Sequence, residues 1–407
     1  MSFSPLRLRH PIDYICVHAL YMKDDIVVKM TVHTGRRSSM LNYTARSRSV
    51  LRGVAAASIA AVAVFGLAAC QDPGAKSGGS SGPVGVALIV KTTTNPFFVS
   101  MEDSAKAAAA KDGVKLTLAA GKKDGDAATQ IQAIEDSISR GDKGILITPT
   151  DSTVNSAIAK ARKAGLYVIA LDTPPDPANT VDITFATNNF DAGVAIGKWT
   201  AAQLGGKAAV IGLVDLFSNQ VASVDYNRDQ GFLTGMGIDT KDKTKNGDED
   251  KTGSYTGGKG GTYTIAGNQA SNGDEADGRT AMETLLSKNP NINVVYSINE
   301  PAGYGAYQAL KAAGKEKDAI IVSIDGGCTG VGEVKSGIFG ATSQQYPSKM
   351  ASLGMEAIVK LTKSGTKPSV SSGLDFFNTG SQLVTDKPVN GLSSISTADA
   401  AKICWGK

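Results

Sequence analysis

Histidine is almost missing from this chain of 407 residues: there are three, His10, His18 and His33, and all precede residue 70. Everything downstream must therefore work without imidazole, which excludes histidine zinc sites, Ser-His-Asp triads and Cys-His pairs there. Cysteine is scarce too, with Cys16, Cys70, Cys328 and Cys404 the whole supply. Positive charge is misleading. Residues 1–69 hold nine Lys/Arg against three acids, so the formal +4 of the chain becomes −2 for the remainder, and no basic footprint for nucleic acid survives. No apolar run is long enough to span a bilayer; the longest candidate, Val54–Leu67, is 14 residues. Where a dinucleotide fold would place G-x-G-x-x-G after its first strand, the chain has Thr92-Thr93-Thr94-Asn95. Asp248, Glu249 and Asp250 lack the spacing of a calcium loop and read as solvated, and no short repeat is visible. No metal and no cofactor is expected.

Composition otherwise suits a soluble globular protein of two or three domains, 42% apolar and 20% charged. Residues 1–39 show no convincing periodicity and hold no recognisable element, as an over-long start before Met40 or Met30 would. Then come Arg46, Arg48 and Arg52, the apolar run, and Leu67-Ala68-Ala69-Cys70. A basic segment, a short apolar core and small residues before a cysteine form an export signal. Leu-Ala-Ala-Cys resembles a bacterial lipoprotein box, which implies cleavage before Cys70, lipidation of its sulfur and an extracytoplasmic, membrane-anchored product; a chance cysteine after an ordinary signal is the other reading. Residues 70–83 are a Gly/Ser-rich tether.

After the tether, strands alternate with helical patterns. Strands are expected at Val84–Val90, Val114–Leu118, Gly144–Thr148, Leu166–Leu171 and Asp182–Phe185, with helices near Phe97–Asp112, Asp126–Arg140 and Asp151–Gly165. The alternation restarts after Thr187 and continues to a helix at Pro347–Lys363. That pattern means parallel, doubly wound α/β sheets, and too many strands for one of them. Lys241–Gly261, polar and Gly-rich, reads as a surface excursion.

In such sheets ligands sit beyond the carboxyl ends of the strands. There the chain places Asn95-Pro96-Phe97-Phe98, Asp172-Thr173-Pro174, Asn299-Glu300-Pro301, Asp325-Gly326-Gly327 and Ser343-Gln344-Gln345. Singly, each Asp or Asn is as readily the cap of the next helix, and both Phe are as readily core. Together they describe one polar cleft. Carboxylates accept from hydroxyls, amides donate to them and rings cover C–H faces, which suits a small, neutral, polyhydroxylated ligand. A glycosidase working through Asp172 and Asp325 is the one acid–base alternative left without histidine.

These residues also carry a resemblance. Asn95-Pro-Phe-Phe, Leu171-Asp-Thr-Pro, Asn227-Arg228-Asp-Gln-Gly231-Phe232, Ile298-Asn299-Glu-Pro, Val322-Ser-Ile-Asp325-Gly-Gly-Cys328 and Gln344-Gln345-Tyr-Pro resemble, in their order, the ribose/galactose-type periplasmic sugar-binding proteins. Within that family the chain looks most like the fructose-binding components of bacterial ABC importers. The resemblance implies a type I periplasmic-binding-protein fold: two Rossmann-like lobes joined by a three-strand hinge, closing on one monosaccharide and delivering it to an ABC permease, as a monomer without catalysis. It implies lobes at 84–187 with 346–373 and at 188–345 with 374–407. Carried over position by position, it implies ligand contacts from Asn95, Phe97, Phe98 and Asp172 in the first lobe, Arg228, Asn299 and Asp325 in the second, and Gln345 at a crossover. Arg228, on a helical pattern, would otherwise read as solvent-facing. Relatives that bind ribose have a stacking aromatic near the start of a second-lobe helix, but Gly273-Asp274-Glu275 offers none, which argues against ribose more than against sugar. A same-fold repressor would need a DNA-binding headpiece where residues 1–69 supply a leader, whereas coupling to a chemoreceptor stays open. Once Cys16 and Cys70 are set aside, Cys328 and Cys404 remain. In an exported protein they read as a disulfide tying the tail to the Asp325 loop, with two free buried thiols the alternative.

Overall fold

The structure, a computed structural model, describes residues 14–22, 25–34, 37–45 and 82–406 and divides into two compact units, 1–78 and 79–407. In the first unit β1 (Tyr14–Met22), β2 (Asp25–Thr34) and β3 (Arg37–Ala45) form an antiparallel meander, with Tyr14 opposite His33 and Ile26 opposite Ala45. This corrects the expectation that residues 1–39 hold no element. Strands need only β-branched and aromatic content, which Val17, Tyr21, Ile26, Val27, Val28 and Val32 supply. The expected export signal, Cys70 with its expected lipidation, and the expected tether as far as residue 81 lie outside the described residues.

In the second unit, β4 (Gly85–Val90), α1 (Pro96–Asp112), β5 (Lys115–Ala120), α2 (Ala127–Arg140), β6 (Gly144–Ile147), α3 (Asn155–Lys163), β7 (Tyr167–Leu171) and β8 (Ile183–Ala186) build the first lobe. The central strands β4, β6 and β7 are uninterrupted apolar runs because helices cover both faces of the sheet. Leu88, Val90, Leu146 and Ile169 pack under α1, while Ala87, Ile89, Ile145 and Val168 face α2 and α3. The chain crosses once at 187–188. It then forms the second lobe from α4 (Asn189–Leu204), β9 (Ala209–Asp215), α5 (Ser223–Met236), β10 (Thr252–Tyr255), β11 (Gly261–Ala270), α6 (Glu275–Lys288), β12 (Val294–Ser297), α7 (Glu300–Ala312), β13 (Ile320–Asp325), α8 (Cys328–Ser336) and β14 (Ala341–Gln344). It returns at 345–346 to lay α9 (Pro347–Ser364) and β15 (Phe377–Asn378) on the first lobe, then crosses again to β16 (Gln382–Val384) and α10 (Thr397–Ile403). The sheet orders are β15-β8-β7-β6-β4-β5, all parallel, and β10-β11-β9-β12-β13-β14-β16, with antiparallel pairs only at its two ends.

The last crossover corrects the expected boundary. Phe377–Asn378 pairs with Phe185–Ala186, so the second lobe resumes near 380 rather than at 374; a two-residue strand leaves no periodic trace. The Lys241–Gly261 excursion contains β10, hairpin partner of β11, and Glu249 within it is buried rather than solvated. Its carboxylate accepts from the Gly247 N–H at 3.1 Å and from Lys251 Nζ at 3.0 Å.

Helices α4 and α5 meet backbone to backbone. A Cβ on Gly193, Gly197, Gly231 or Gly235 would lie 2.4, 2.1, 2.3 and 2.3 Å from the carbonyl oxygens of Arg228, Phe232, Phe190 and Val194. This contact fixes where α5 presents Arg228 and where α4 presents Asn189. Gly197→Ala is expected to force the helices apart and lower stability by about 1–3 kcal/mol, read as a lower urea midpoint with the slope unchanged.

Candidate functional site

The cleft between the carboxyl ends of the two sheets holds about 340 Å³ of space, part of it open to solvent, and is lined by Asn95, Phe97, Phe98, Asp172, Arg228, Asn299, Asp325 and Gln345, together with Lys91, Asp124, Leu216, Val224 and Ile298. The first eight are the residues singled out from the sequence. The cap reading and the cleft reading are compatible. Asn95 caps α1, its Oδ1 accepting from the Phe97 N–H at 2.9 Å, which leaves its amide NH2 for the cleft. Pro96 starts the helix where its missing N–H costs nothing. Phe97 and Phe98 are buried and edge-on, centroids 5.3 Å apart, so they are at once core and cleft wall. Asn299 is the most committed to its structural role: Oδ1 accepts from the Ala302 N–H at 3.1 Å and Nδ2 donates to the Gly273 carbonyl at 3.0 Å.

Arg228 is buried, not solvent-facing. Its Nε donates to Asn189 Oδ1 at 2.7 Å, one terminal nitrogen donates to the Ile298 carbonyl at 3.0 Å, and the other lies 3.7 Å from Asp172 Oδ1. Asp172 accepts from Thr173 Oγ1 at 2.8 Å through Oδ2, and Asp325 accepts from Gln345 Nε2 at 2.8 Å through Oδ1. What remains is informative. Asp172 Oδ1, Asp325 Oδ2 and Gln345 Oε1 are buried acceptors with no hydrogen-bond partner. A buried orphan acceptor costs about 1–3 kcal/mol, so three of them converging on one cleft mark where donors from outside the chain belong.

Backbone strain sits at the same place. Asp172 (φ 66°) and Asp325 (φ 152°) are two of four described non-glycine residues with positive φ. Holding such conformations costs about 1–3 kcal/mol each and requires surrounding structure to impose them. For Asp325 that structure is Glu300, whose carboxylate accepts from the N–H groups of Gly326 at 2.8 Å and Gly327 at 3.1 Å and from Thr342 Oγ1 at 2.8 Å. Burial pushes the Asp325 carboxyl up to about 6, with Arg228 and the Gln345 bond pulling back and the Asp172 charge pushing further. Burial, then the Asp325 charge, holds Glu300 well above the usual carboxylate range.

Sequence reasoning did not single out Lys91 or Asp124 as members of the site. Both follow first-lobe strands, the one signal that pointed to them. Burial raises the Asp124 carboxyl, and Lys91 opposes that shift. From the second lobe the wall is aliphatic, Leu216, Val224 and Ile298, with no aromatic opposite Phe97 and Phe98. Cys328 and Cys404 form a disulfide, Cα atoms 5.0 Å apart. Among the described residues no group of three or more His, Cys, Asp or Glu is disposed to hold a metal ion.

Two doubly wound lobes, three crossovers and one buried cleft of orphaned acceptors define a hinged binding protein. Residues 86–367 match the periplasmic binding protein domain. The chain is 32% identical over 279 residues to the ribose import binding protein RbsB of Haemophilus influenzae, covering 68% of this chain and 85% of that one. It is 26% identical over 307 residues to the D-allose-binding periplasmic protein of Escherichia coli, covering 74% and 91%. Among solved structures it is similar to an ABC transporter solute-binding protein of Actinobacillus succinogenes with bound D-allose (TM-score 0.61, 22% identity, 74% and 97% covered) and to a galactofuranose-binding protein (TM-score 0.62, 24%, 74% and 94%). The chain belongs to the periplasmic binding proteins, in the ribose/galactose type that serves ABC importers, and is a solute-binding protein rather than an enzyme.

Proposed function

We propose that this protein captures one monosaccharide, D-fructose first among candidates, outside the cell membrane and hands it to an ABC permease. The observation that carries the reading is the convergence of Asp172 Oδ1, Asp325 Oδ2 and Gln345 Oε1, unpartnered, beside the Arg228 guanidinium. Sugar hydroxyls donate to the three acceptors, while Arg228, Asn95 and Lys91 donate to ring and hydroxyl oxygens. Phe97 and Phe98 cover one C–H face. Contacts come from both lobes, so closure completes the set and the filled cleft is the closed one. Fructose rests on the motif resemblance. The aliphatic second-lobe wall supports a ligand stacked on one side only, which speaks against ribose. Lipidation at Cys70 and the tether would keep the receptor beside its permease.

Thermal melting against D-fructose, D-ribose, D-allose and D-galactose tests this. A ligand at 100-fold its Kd adds about 2.7 kcal/mol to the native state, a clear rise in Tm. The expected result is a rise with fructose. A rise with another sugar alone keeps the receptor and discards fructose, and a flat panel discards the monosaccharide.

A further inference from the structure

The last residues of the chain touch the Asp325 loop, the crossover at 345–346 and the start of α1. Trp405 follows Cys404, whose disulfide to Cys328 anchors the tail three residues past Asp325 in the second lobe. The Cys328 N–H donates to the Trp405 carbonyl at 2.9 Å, a second tie to the same loop. The indole Nε1 donates to the backbone carbonyl of Gln345 at 2.8 Å, at the crossover itself. The indole ring packs against the first-lobe core, edge-on to Phe97 with centroids 5.3 Å apart. Beyond it, a Cβ built on Gly406 would lie 3.7 Å from Pro96 Cβ, so the tail runs along the start of α1. Trp405 is thus tied to the second lobe through its backbone and the neighbouring disulfide, while its half-buried indole contacts a crossover and the first lobe and rests behind Phe97 and Gln345, two walls of the cleft.

We propose that Trp405 is a positioning residue for sugar binding: a disulfide-pinned latch that joins both lobes at the hinge and holds Phe97 and Gln345 in the closed arrangement. The inference rests on the cleft reading above for its link to sugar, though not for the latch. The contacts are of a kind that closure would tune. Other contacts between the lobes, Arg228 with Asp172, Ser223 Oγ donating to the Pro174 carbonyl and Gln220 Nε2 donating to the Gly125 carbonyl, join groups that water can satisfy when the cleft opens. The Trp405–Phe97 contact is apolar, and exposing it on opening has no such compensation. It therefore biases the empty protein toward the closed form, and affinity rises with the fraction already closed.

The experiment uses the full chain with three substitutions, Trp405→Ala, Trp405→Phe and Cys404→Ala. Trp199→Phe serves as background for fluorescence, because the chain has two tryptophans and Trp199 is buried in the second lobe. Without sugar, small-angle scattering should show a larger radius of gyration for Trp405→Ala than for wild type. Cys404→Ala should shift Trp405 emission to the red as the indole leaves Phe97. With D-fructose as probe, calorimetry should show affinity falling about tenfold for Trp405→Ala. Trp405→Phe, which keeps a ring against Phe97 and loses only the bond to Gln345, should recover most of both readouts. If Trp405→Phe and Trp405→Ala both match wild type in scattering and in affinity, or if Trp405→Ala changes only the melting temperature, Trp405 is a core residue and the proposal falls. Scattering and emission need no sugar. An opened Trp405→Ala in a protein that binds nothing in the panel refutes the sugar reading and leaves the latch.

Discussion

Arg228→Ala is expected to weaken sugar binding by about 100-fold or more while leaving the lobes folded. The guanidinium lies between two buried carboxylates, 3.7 Å from Asp172 Oδ1 and close enough to Asp325 to hold its carboxyl down against burial. Its removal leaves both carboxylates without their counter-charge, and Asn189 Oδ1 and the Ile298 carbonyl without their donor. Breaking a buried pair by deleting one partner costs about 3–5 kcal/mol, because the surviving charge stays buried. In the empty protein some of that cost is relieved when the cleft opens and water enters. In the filled one it is not, so the loss falls mainly on affinity. Lysine at the same position keeps the charge but not the fork, which here bonds in two directions at once, and should recover only part of the loss. Calorimetric titration of wild type, Arg228→Ala and Arg228→Lys with the sugar that raises Tm decides it. A loss below about threefold for alanine would make Arg228 a support for Asn189 and Ile298 and move the ligand elsewhere.

How much of this could be read from the sequence depends on what each feature needs. The sheets were legible because a strand covered on both faces must be apolar throughout, and the runs at Val84–Val90 and Leu166–Leu171 are. The site was legible at strand ends, where a polar residue after an apolar run is visible without knowing its partners. Arg228 was legible only through its motif, since nothing in the helical pattern distinguishes a buried Arg from an exposed one; its burial is made by glycine contacts between α4 and α5 that involve residues 193–197 and 231–235. Lys91 and Asp124 lie in loops whose composition is that of any surface turn. Glu249 looked solvated because its burial depends on Lys251 and on the β10–β11 hairpin, and β10 itself, Thr252-Gly-Ser-Tyr255, is too polar to announce a strand. Trp405 carried no signal of its own: the expected Cys328–Cys404 disulfide put the tail beside the Asp325 loop, but nothing in the sequence put the indole against Phe97.

Asp229→Asn is expected to make the protein more stable at pH 8 and to flatten the fall in its stability between pH 5 and pH 8. Asp229 follows Arg228 on α5 but is fully buried, away from the cleft, with its carboxyl beside that of Asp215 at the end of β9. Asp215 Oδ1 and Asp229 Oδ2 have no N–H or O–H donor, and a proton shared between the two neighbouring carboxyl groups would satisfy both. Asn268 Nδ2 donates to Asp215 at 3.0 Å and Gln230 Nε2 to Asp229 at 2.8 Å; Asp225, Glu249, Lys251, Tyr296 and Arg228 complete the charged and titratable surroundings. Burial raises all three aspartates, Asp215 to about 6, Asp225 to about 7 and Asp229 well above its ordinary value, and the neighbouring carboxylates raise Asp225 and Asp229 further. Carboxyls whose folded pKa exceeds the unfolded one bind more protons when folded, so their stabilisation is complete below the ordinary aspartate range and is lost as pH rises through about 6 to 7. An amide at 229 donates permanently to Asp215 and removes the proton from that balance. Asp325, Glu300 and Glu333 carry shifts of the same sign, so the slope should shrink rather than vanish. Differential scanning calorimetry of the sugar-free protein at pH 5, 6.5 and 8 measures it. Parallel Tm curves for wild type and Asp229→Asn would mean that the pair shares no proton and that a bridging group, water or an ion, satisfies both oxygens instead.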